Sequence, residues 1–462
     1  MGGLRRALAG LAGAALLASG CAERGAEKDG ELRGAVVFLL DTLRADHSSA
    51  YGYPRPTTPA LERLAARGVV FERAISYAPW TLPAVAALLS GRPAELAFDR
   101  DRGRLSASLV ESFRRAGFAT AAFTEGGLVS GIFGFDRGFD VYREVRSRVP
   151  LLGSPLRPEA AGAAIEETFA AARAWLAEHR DERFLLLVHT YEPHAPYERH
   201  TFAAGLETGA VGPSFRIEQT TLLRRGELRF DADDLRYLAA LYDGGVHEGD
   251  RQVGLFLDFL GELGLAGSTA VVVTSDHGED LGERDPAFAG DHGHGLHEEL
   301  LRVPLVLWSP ADPRPPRRVA TPVWTLDLLP TLAELLGVPL AAEVEGRSLV
   351  PLLRGEDAAP RVIFGGAVKS GPLRHFARDG DWKYVAGEGG ARLYHLGSDP
   401  GERRDLAARE PERMRRFARF LEERADFEPL RIEPFLAAIA REGEGAALRA
   451  QLRALGYLEE PR

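Results

Sequence analysis

The chain holds a single cysteine, Cys21, in 462 residues. An internal disulfide is therefore excluded, and so is a thiolate-rich metal site. A basic excess is also missing. Lys and Arg number 57 against 67 Asp and Glu, for a net charge of -10. With no basic field to attract phosphate backbones, nucleic acid is excluded as a partner. There is no internal repeat, and compositional bias goes no further than enrichment in Ala, Gly and Arg. What is present is ordinary for a folded protein: 45% hydrophobic and 27% charged residues. That composition rules out disorder, a collagen-like chain and a polytopic membrane protein.

The first 21 residues read as an export signal. Arg5 and Arg6 precede an apolar run, Ala7 to Ala18, and small residues lead from it to Cys21. This is the basic, apolar and cleavage-site layout of a secretory leader. The run is shorter than the roughly 20 residues that a spanning helix needs. Leu17-Ala18-Ser19-Gly20-Cys21 resembles a bacterial lipobox. It implies an exported lipoprotein, anchored to a membrane through Cys21. The alternative is a plain secreted protein in which Cys21 is incidental. Residues 22–33 are small and charged, as a tether should be.

Beyond the tether the pattern alternates. Ala35–Leu40, Phe184–Val188, Ala270–Val273 and Val303–Trp308 are short continuous apolar runs, the signature of strands buried on both faces. Between them, Ala60–Arg67, Ser106–Ala116, Pro158–His179, Leu235–Leu263 and Thr325–Leu336 carry helical periodicity. Alternating strands and helices predict an α/β fold with a mostly parallel central sheet covered on both faces. From about residue 360 the texture changes to short, turn-punctuated strands, followed by a helix near Glu410–Arg424. That predicts a small C-terminal antiparallel sheet subdomain with one helix. The domain plan is then 1–21 leader, 22–33 tether, 34–350 catalytic domain, 351–430 C-terminal subdomain and 431–462 helical tail.

In parallel sheets, ligands bind beyond the carboxyl ends of the strands. The polar residues just there are Asp41, His189 and the pair Asp276-His277. Two carboxylates and an imidazole suit one divalent ion such as Mn²⁺, Ca²⁺, Mg²⁺ or Zn²⁺. Thr81 precedes Leu82-Pro83 and a run that Gly91 closes, which predicts a helix with Thr81 as its N-cap. A hydroxyl there has a sharper use beside unpaired N–H groups and a metal, as a nucleophile.

The segment FLLDTLRADHSSAYGYPRPTTPALERLAARGVVFERAISYAPWTLPAVAALLSG resembles the N-terminal region of the sulfatase family, within the alkaline phosphatase superfamily. LLLVHTYEPHAPY, TSDHGEDLGE, HGLHEELLRVPLVLWSP, DGDWKYVAG and LYHLGSDPGERRDLA resemble later family motifs, in order, over about residues 34–425. The resemblance implies an alkaline phosphatase-like fold and a metal-dependent ester hydrolase. It also brings departures. Where sulfatases carry Cys or Ser in a Cys/Ser-x-Pro-x-Arg motif, this chain has Thr81-Leu82-Pro83-Ala84-Val85. Threonine cannot become formylglycine. Relatives with Thr use the hydroxyl directly on phosphorus. At the first metal motif a pair of acids is reduced to Asp41-Thr42. By resemblance, one divalent ion would be held by Asp41, Thr81, Asp276 and His277. His194 and His294 match family positions near the leaving oxygen and the transferring group, and either serves as general acid. His292 and His297 read as structural, and His189 as orienting the site or filling the core. Arg44 reads as a partner of Asp46 or as a site residue, and Lys383 as part of a subdomain strand.

The function expected is hydrolysis or transfer of a sulfate or phosphate ester, small or glycan- or lipid-linked, with phosphodiester, phosphonate ester or phosphoglycerol-type chemistry favoured. The alternative is a catalytically silent binding protein that kept the fold, since Ala84 and Val85 are apolar where polar residues are usual.

Overall fold

The computed structural model describes residues 32–424 and 430, apart from 100, 146–163, 313, 341–343, 370 and 373. The leader, Cys21 and the expected tail helix lie outside the described residues. Among those described, no helix is long and apolar enough to cross a membrane.

The apolar runs do form the centre of the molecule. Eight strands make one sheet in the order Arg317–Val319, Val69–Phe71, Leu305–Trp308, Thr269–Thr274, Gly34–Leu40, Phe184–Thr190, Ala119–Thr124, Val141–Glu144. Gly34–Leu40 lies parallel to both of its neighbours. Its residues alternate between two cores. Ala35, Val37 and Leu39 enter one hydrophobic cluster, while Val36, Phe38 and Leu40 enter the other. A period of two is what a strand must show when helices cover both faces. On one face Phe38 stacks on Phe169 at 5.8 Å and meets Phe256 edge-on at 5.2 Å. Those rings come from the helices Ala164–Glu178 and Ala232–Glu262. On the other face lie the helices Thr81–Ser90 and Leu328–Leu335.

Three expectations need correction. The run Val303–Trp308 is split by Pro304, which has no N–H to give a ladder, into Arg302–Val303 and Leu305–Trp308. The second piece pairs antiparallel with both of its neighbours, so the sheet is mixed at that point. The helix expected from Ser106 starts only at Val110, because Ser106 donates its N–H to Ala97. A strand missed by pattern, Ala119–Thr124, sits inside the sheet; its alanines left no apolar run to see.

The C-terminal sheet is antiparallel, Ile363–Gly365, Arg374–Asp379, Trp382–Gly387 and Gly390–His395, and the helix Pro411–Glu422 packs on it.

Candidate active site

Strand phase delivers the first ligand. The alternation 35, 37, 39 of the central strand continues to Asp41 at its carboxyl end. Leu39 is in register with His189 of the neighbouring strand, so that imidazole comes up beside Asp41. His189 Nε2 lies 3.3 Å from Asp41 Oδ2, and neither side chain touches solvent. Burial pushes the His189 pKa down to about 4, so the ring is neutral. Thr42 then turns the chain with φ 57°, a left-handed conformation unusual for a β-branched residue. Such strain persists only where its surroundings over-determine it. Here the turn aims Thr42 N at Asp276 Oδ1, 3.4 Å away, and Leu43 N at Ser275 Oγ, 2.9 Å away.

Asp41, Asp276 and His277 meet within 4.8 Å of one another, all buried. Asp41 Oδ1 and Asp276 Oδ2 accept no hydrogen bond. Burial, and then the charges of Asp276 and Glu279, push the Asp41 carboxyl well above the usual carboxylate range. A divalent ion would satisfy both orphaned oxygens and offset the burial of the carboxylates. His277 suits the same ion. Its Nδ1 lies 2.8 Å from the Gly278 carbonyl, which makes Nδ1 the donor and turns Nε2 toward the carboxylates. The donor set therefore fits a hard or borderline cation.

Thr81 is not an N-cap. Trp80, with φ −160° and ψ 158°, holds that position without a side-chain cap bond, and Thr81 is the first helical residue. Its hydroxyl is thus directed elsewhere. Thr81 Oγ1 lies 3.4 Å from Asp41 Oδ2 and 3.2 Å from His277 Nε2. Gly91, with φ 66°, closes the helix as expected. Ala84 and Val85, the apolar neighbours, are buried in the core.

A second layer surrounds this cluster. His292 packs 4.6 Å from the His277 ring and 5.0 Å from the His194 ring, and its Nδ1 is 2.8 Å from Glu279 Oε1. Tyr197 donates to the other Glu279 oxygen at 2.8 Å. Burial pushes the His194 pKa down to about 3; Nδ1 lies 2.6 Å from the Ala195 carbonyl. His294 stacks on Phe288 and places Nε2 3.1 Å from Asp280 Oδ2. Lys369, a residue no motif pointed to, is almost buried at 7% exposure and reaches Asp291 Oδ1 at 3.4 Å. Arg224 reaches the other oxygen of Asp291 at 3.4 Å. Burial alone would raise Asp291, but the two cations outweigh it and hold its pKa low. Lys369 contributes in turn to the lowered pKa values of His194, His277 and His292, after burial.

Other expected residues lie further out. Arg44 pairs with Asp46 at 2.8 Å and Glu283 at 2.6 Å, and donates to the Glu279 carbonyl at 3.0 Å. His297 faces Glu402 at 3.3 Å, and Lys383 is on a C-terminal strand with its ammonium between Glu298 and Glu402.

Comparison with known proteins gives the family and the fold. The family model described as "Sulfatase" matches residues 34–338. Arylsulfatase K of Xenopus laevis is 29% identical over 214 residues, 43% of this chain and 39% of that protein. The chain thus spans about two fifths of that relative's length. The Delta 4,5-hexuronate-2-O-sulfatase of Bacteroides thetaiotaomicron is 26% identical over 80% of this chain and 84% of its own length. Among solved structures, the phosphonate monoester hydrolase of Agrobacterium radiobacter has a TM-score of 0.65 at 21% identity, covering 85% of this chain and 95% of that one. At that identity the likeness is one of fold.

Proposed function

The chain belongs to the sulfatase family, and from that premise we propose that it is a metal-dependent ester hydrolase whose attacking atom is the Thr81 hydroxyl oxygen. One observation carries this reading: Thr81 Oγ1 converges with His277 Nε2 and Asp41 Oδ2 at 3.2 and 3.4 Å. Asp41, Asp276 and His277, with Thr81 as a fourth ligand, would hold one divalent ion, which when bound activates the hydroxyl and neutralises charge on a non-bridging ester oxygen. Mn²⁺, Ca²⁺, Mg²⁺ and Zn²⁺ all suit this donor set.

The chain's own groups divide the remaining work. Asp41 Oδ2 accepts from the Thr81 hydroxyl and takes its proton as Oγ1 bonds to the ester centre and the bond to the leaving oxygen breaks; it returns the proton when Thr81 is released. His189 lies against Asp41, and the Thr42 turn ties the end of that strand to Asp276 and Ser275. Lys369 supplies positive charge beside the three histidines. His194 is neutral, with Nδ1 donating to the Ala195 carbonyl, and its low pKa suits it to hydrogen bonding in the site and not to taking a proton from water. His294, oriented by Asp280, protonates the leaving alcohol and regains a proton from the water or alcohol that then releases the group. Water then releases the group from Thr81, or a second alcohol accepts it.

The side chain of Thr81 favours phosphorus over sulfur. A formylglycine hydrate expels sulfate by collapsing to its aldehyde, and a threonine ester has no such exit. The sole thiol, Cys21, lies 60 positions before Thr81, the difference of the two residue numbers, and no Cys or Ser stands at 81. Phosphodiesters, phosphonate esters or phosphoglycerol-type donors are therefore the substrate class, on small molecules or on glycan- or lipid-linked groups. A panel of aryl sulfate, phosphate monoester, phosphodiester and phosphonate ester, assayed after divalent-metal reconstitution, tests this. The phosphodiester or phosphonate ester should turn over fastest, and a slow phosphorus ester should leave its group on Thr81. Turnover of aryl sulfate alone would overturn the phosphoryl reading, and binding with no turnover on any ester would favour a silent binding protein.

The leader-like run and Cys21 support export and a lipid anchor. Cys21→Ser should release the protein from membranes; a native protein that partitions into water with Cys21 intact would argue against the anchor.

A further inference from the structure

We infer that Lys383, acting with Arg378 through Glu298, is a positioning residue that sets the active-site loop 291–297. The inference rests on the ester-hydrolase reading of the site. It starts from an electrostatic conflict. Arg378 and Lys383 stand directly opposite one another on adjacent strands of the C-terminal sheet. Their side chains are 3% and 1% exposed. Like charges opposed across a ladder repel, and burial deepens the cost. The sheet cannot bury this pair with its own strands.

Relief comes from the catalytic part of the chain. Glu298 places Oε2 2.9 Å from Arg378 and Oε1 2.9 Å from Lys383. Glu402, beyond the last strand of the sheet, reaches Lys383 at 2.8 Å. Its other oxygen accepts from Glu298 N at 2.9 Å and from Arg284 at 3.1 Å. Glu402 itself has φ 51°, so this web holds it in a left-handed conformation. Burial would lower the Lys383 pKa, but Glu298 and Glu402 outweigh it and raise it.

Glu298 is also the residue at which the histidine loop ends, because it opens the helix Glu298–Leu301. Near its start the loop is tied to the same C-terminal unit, since Lys369 N donates to Gly293 O at 2.6 Å. A side chain on Gly293 would clash with Lys369 Cβ at 2.7 Å, so that approach is close. His294 lies between these two ties, and His292 stands immediately before the first of them. A buried ion pair adds little stability over apolar packing of the same volume. What it adds here is a single register for the loop, because Glu298 meets both cations in one position.

The test compares Lys383→Met with Lys383→Arg in the full chain. Metal content and cooperative melting establish folding. Ring-proton NMR signals of His292 and His294 are read without substrate, and kcat and KM are read on the best ester of the panel. Lys383→Met should fold and bind metal, move both ring signals, and lower kcat about ten- to a hundredfold with KM little changed, as small misplacements do. Lys383→Arg should restore signals and rate. A folded Lys383→Met with unmoved ring signals or unchanged kcat overturns the inference, and so does failure of Lys383→Arg to restore them. If Lys383→Met does not fold, Glu402→Gln, which keeps the acceptor for Glu298 N, is read in the same way. The NMR measurement needs no turnover, so an inactive wild type would sink the hydrolase reading while the ring signals still decide the positioning role.

Discussion

Two pairs of carboxylates bracket residues 277–297, and their surroundings are opposite. Asp41 and Asp276 face each other with one orphaned oxygen apiece, and burial together with mutual repulsion drives Asp41 toward its neutral form. Glu402 is buried and Glu298 is 14% exposed, and Lys383, Arg378 and Arg284 stand beside them. Burial would raise both glutamates, but Arg378 and Lys383 outweigh it at Glu298, and Lys383 and His297 at Glu402, and both pKa values are held low. The second pair has its counter-charges in the chain; the first would take its counter-charge from a bound cation. A fold can bury acids for either purpose, and only the partners tell the two apart.

The sharpest way to break this contrast is at Thr81, which belongs to the first region alone. Thr81→Ala should lower turnover by about a thousandfold or more, as loss of a nucleophile does. Its stability should change little, since Trp80 and not Thr81 is the cap. Thr81→Ser should keep part of the rate. Full turnover by Thr81→Ala would leave water as the attacker.

Neutralising one acid in each pair should next give effects of opposite sign. Glu298→Gln leaves buried cations short of a partner and should cost about 3–5 kcal/mol in urea unfolding. Asp276→Asn removes a repulsion, so it should raise the melting temperature of the metal-free protein. Wild type should gain about 2.7 kcal/mol from a divalent ion at a hundred times its Kd, and Asp276→Asn should lose that gain. A stabilised Glu298→Gln, or a destabilised metal-free Asp276→Asn, would erase the distinction.

The smallest effect is that of acid. Glu298 and Glu402 have folded pKa values below the ordinary glutamate value of 4.5. Their contribution is therefore complete above pH 4.5 and is lost as pH falls through the folded values. Melting followed from pH 6 downward should fall less steeply in Lys383→Met than in wild type; equal slopes would mean that the network does not titrate as described.

Much of the molecule is legible from residues in a row. Continuous apolar runs mark Gly34–Leu40, Phe184–Thr190 and Thr269–Thr274, because a strand covered on both faces needs apolar residues at every position. Asp41, Asp276 and His277 are legible for the same reason, since polarity beginning where such a run stops marks the sheet's carboxyl edge. The alanine-rich strand Ala119–Thr124 and the reversed direction of Leu305–Trp308 are not, because strand direction and membership depend on which neighbour supplies hydrogen bonds. Thr81 was visible as a hydroxyl before a helix, but whether it caps that helix or faces a metal site is decided by Trp80 and Asp41, 40 residues upstream. Lys369 carries no local signal, and Lys383 is legible only as a residue of the strand Trp382–Gly387. Local sequence sets propensity and periodicity, which are short-range. The charge that each lysine meets is set by Asp291, 78 residues away, and Glu298, 85 residues away, and only the packed chain brings those groups within reach.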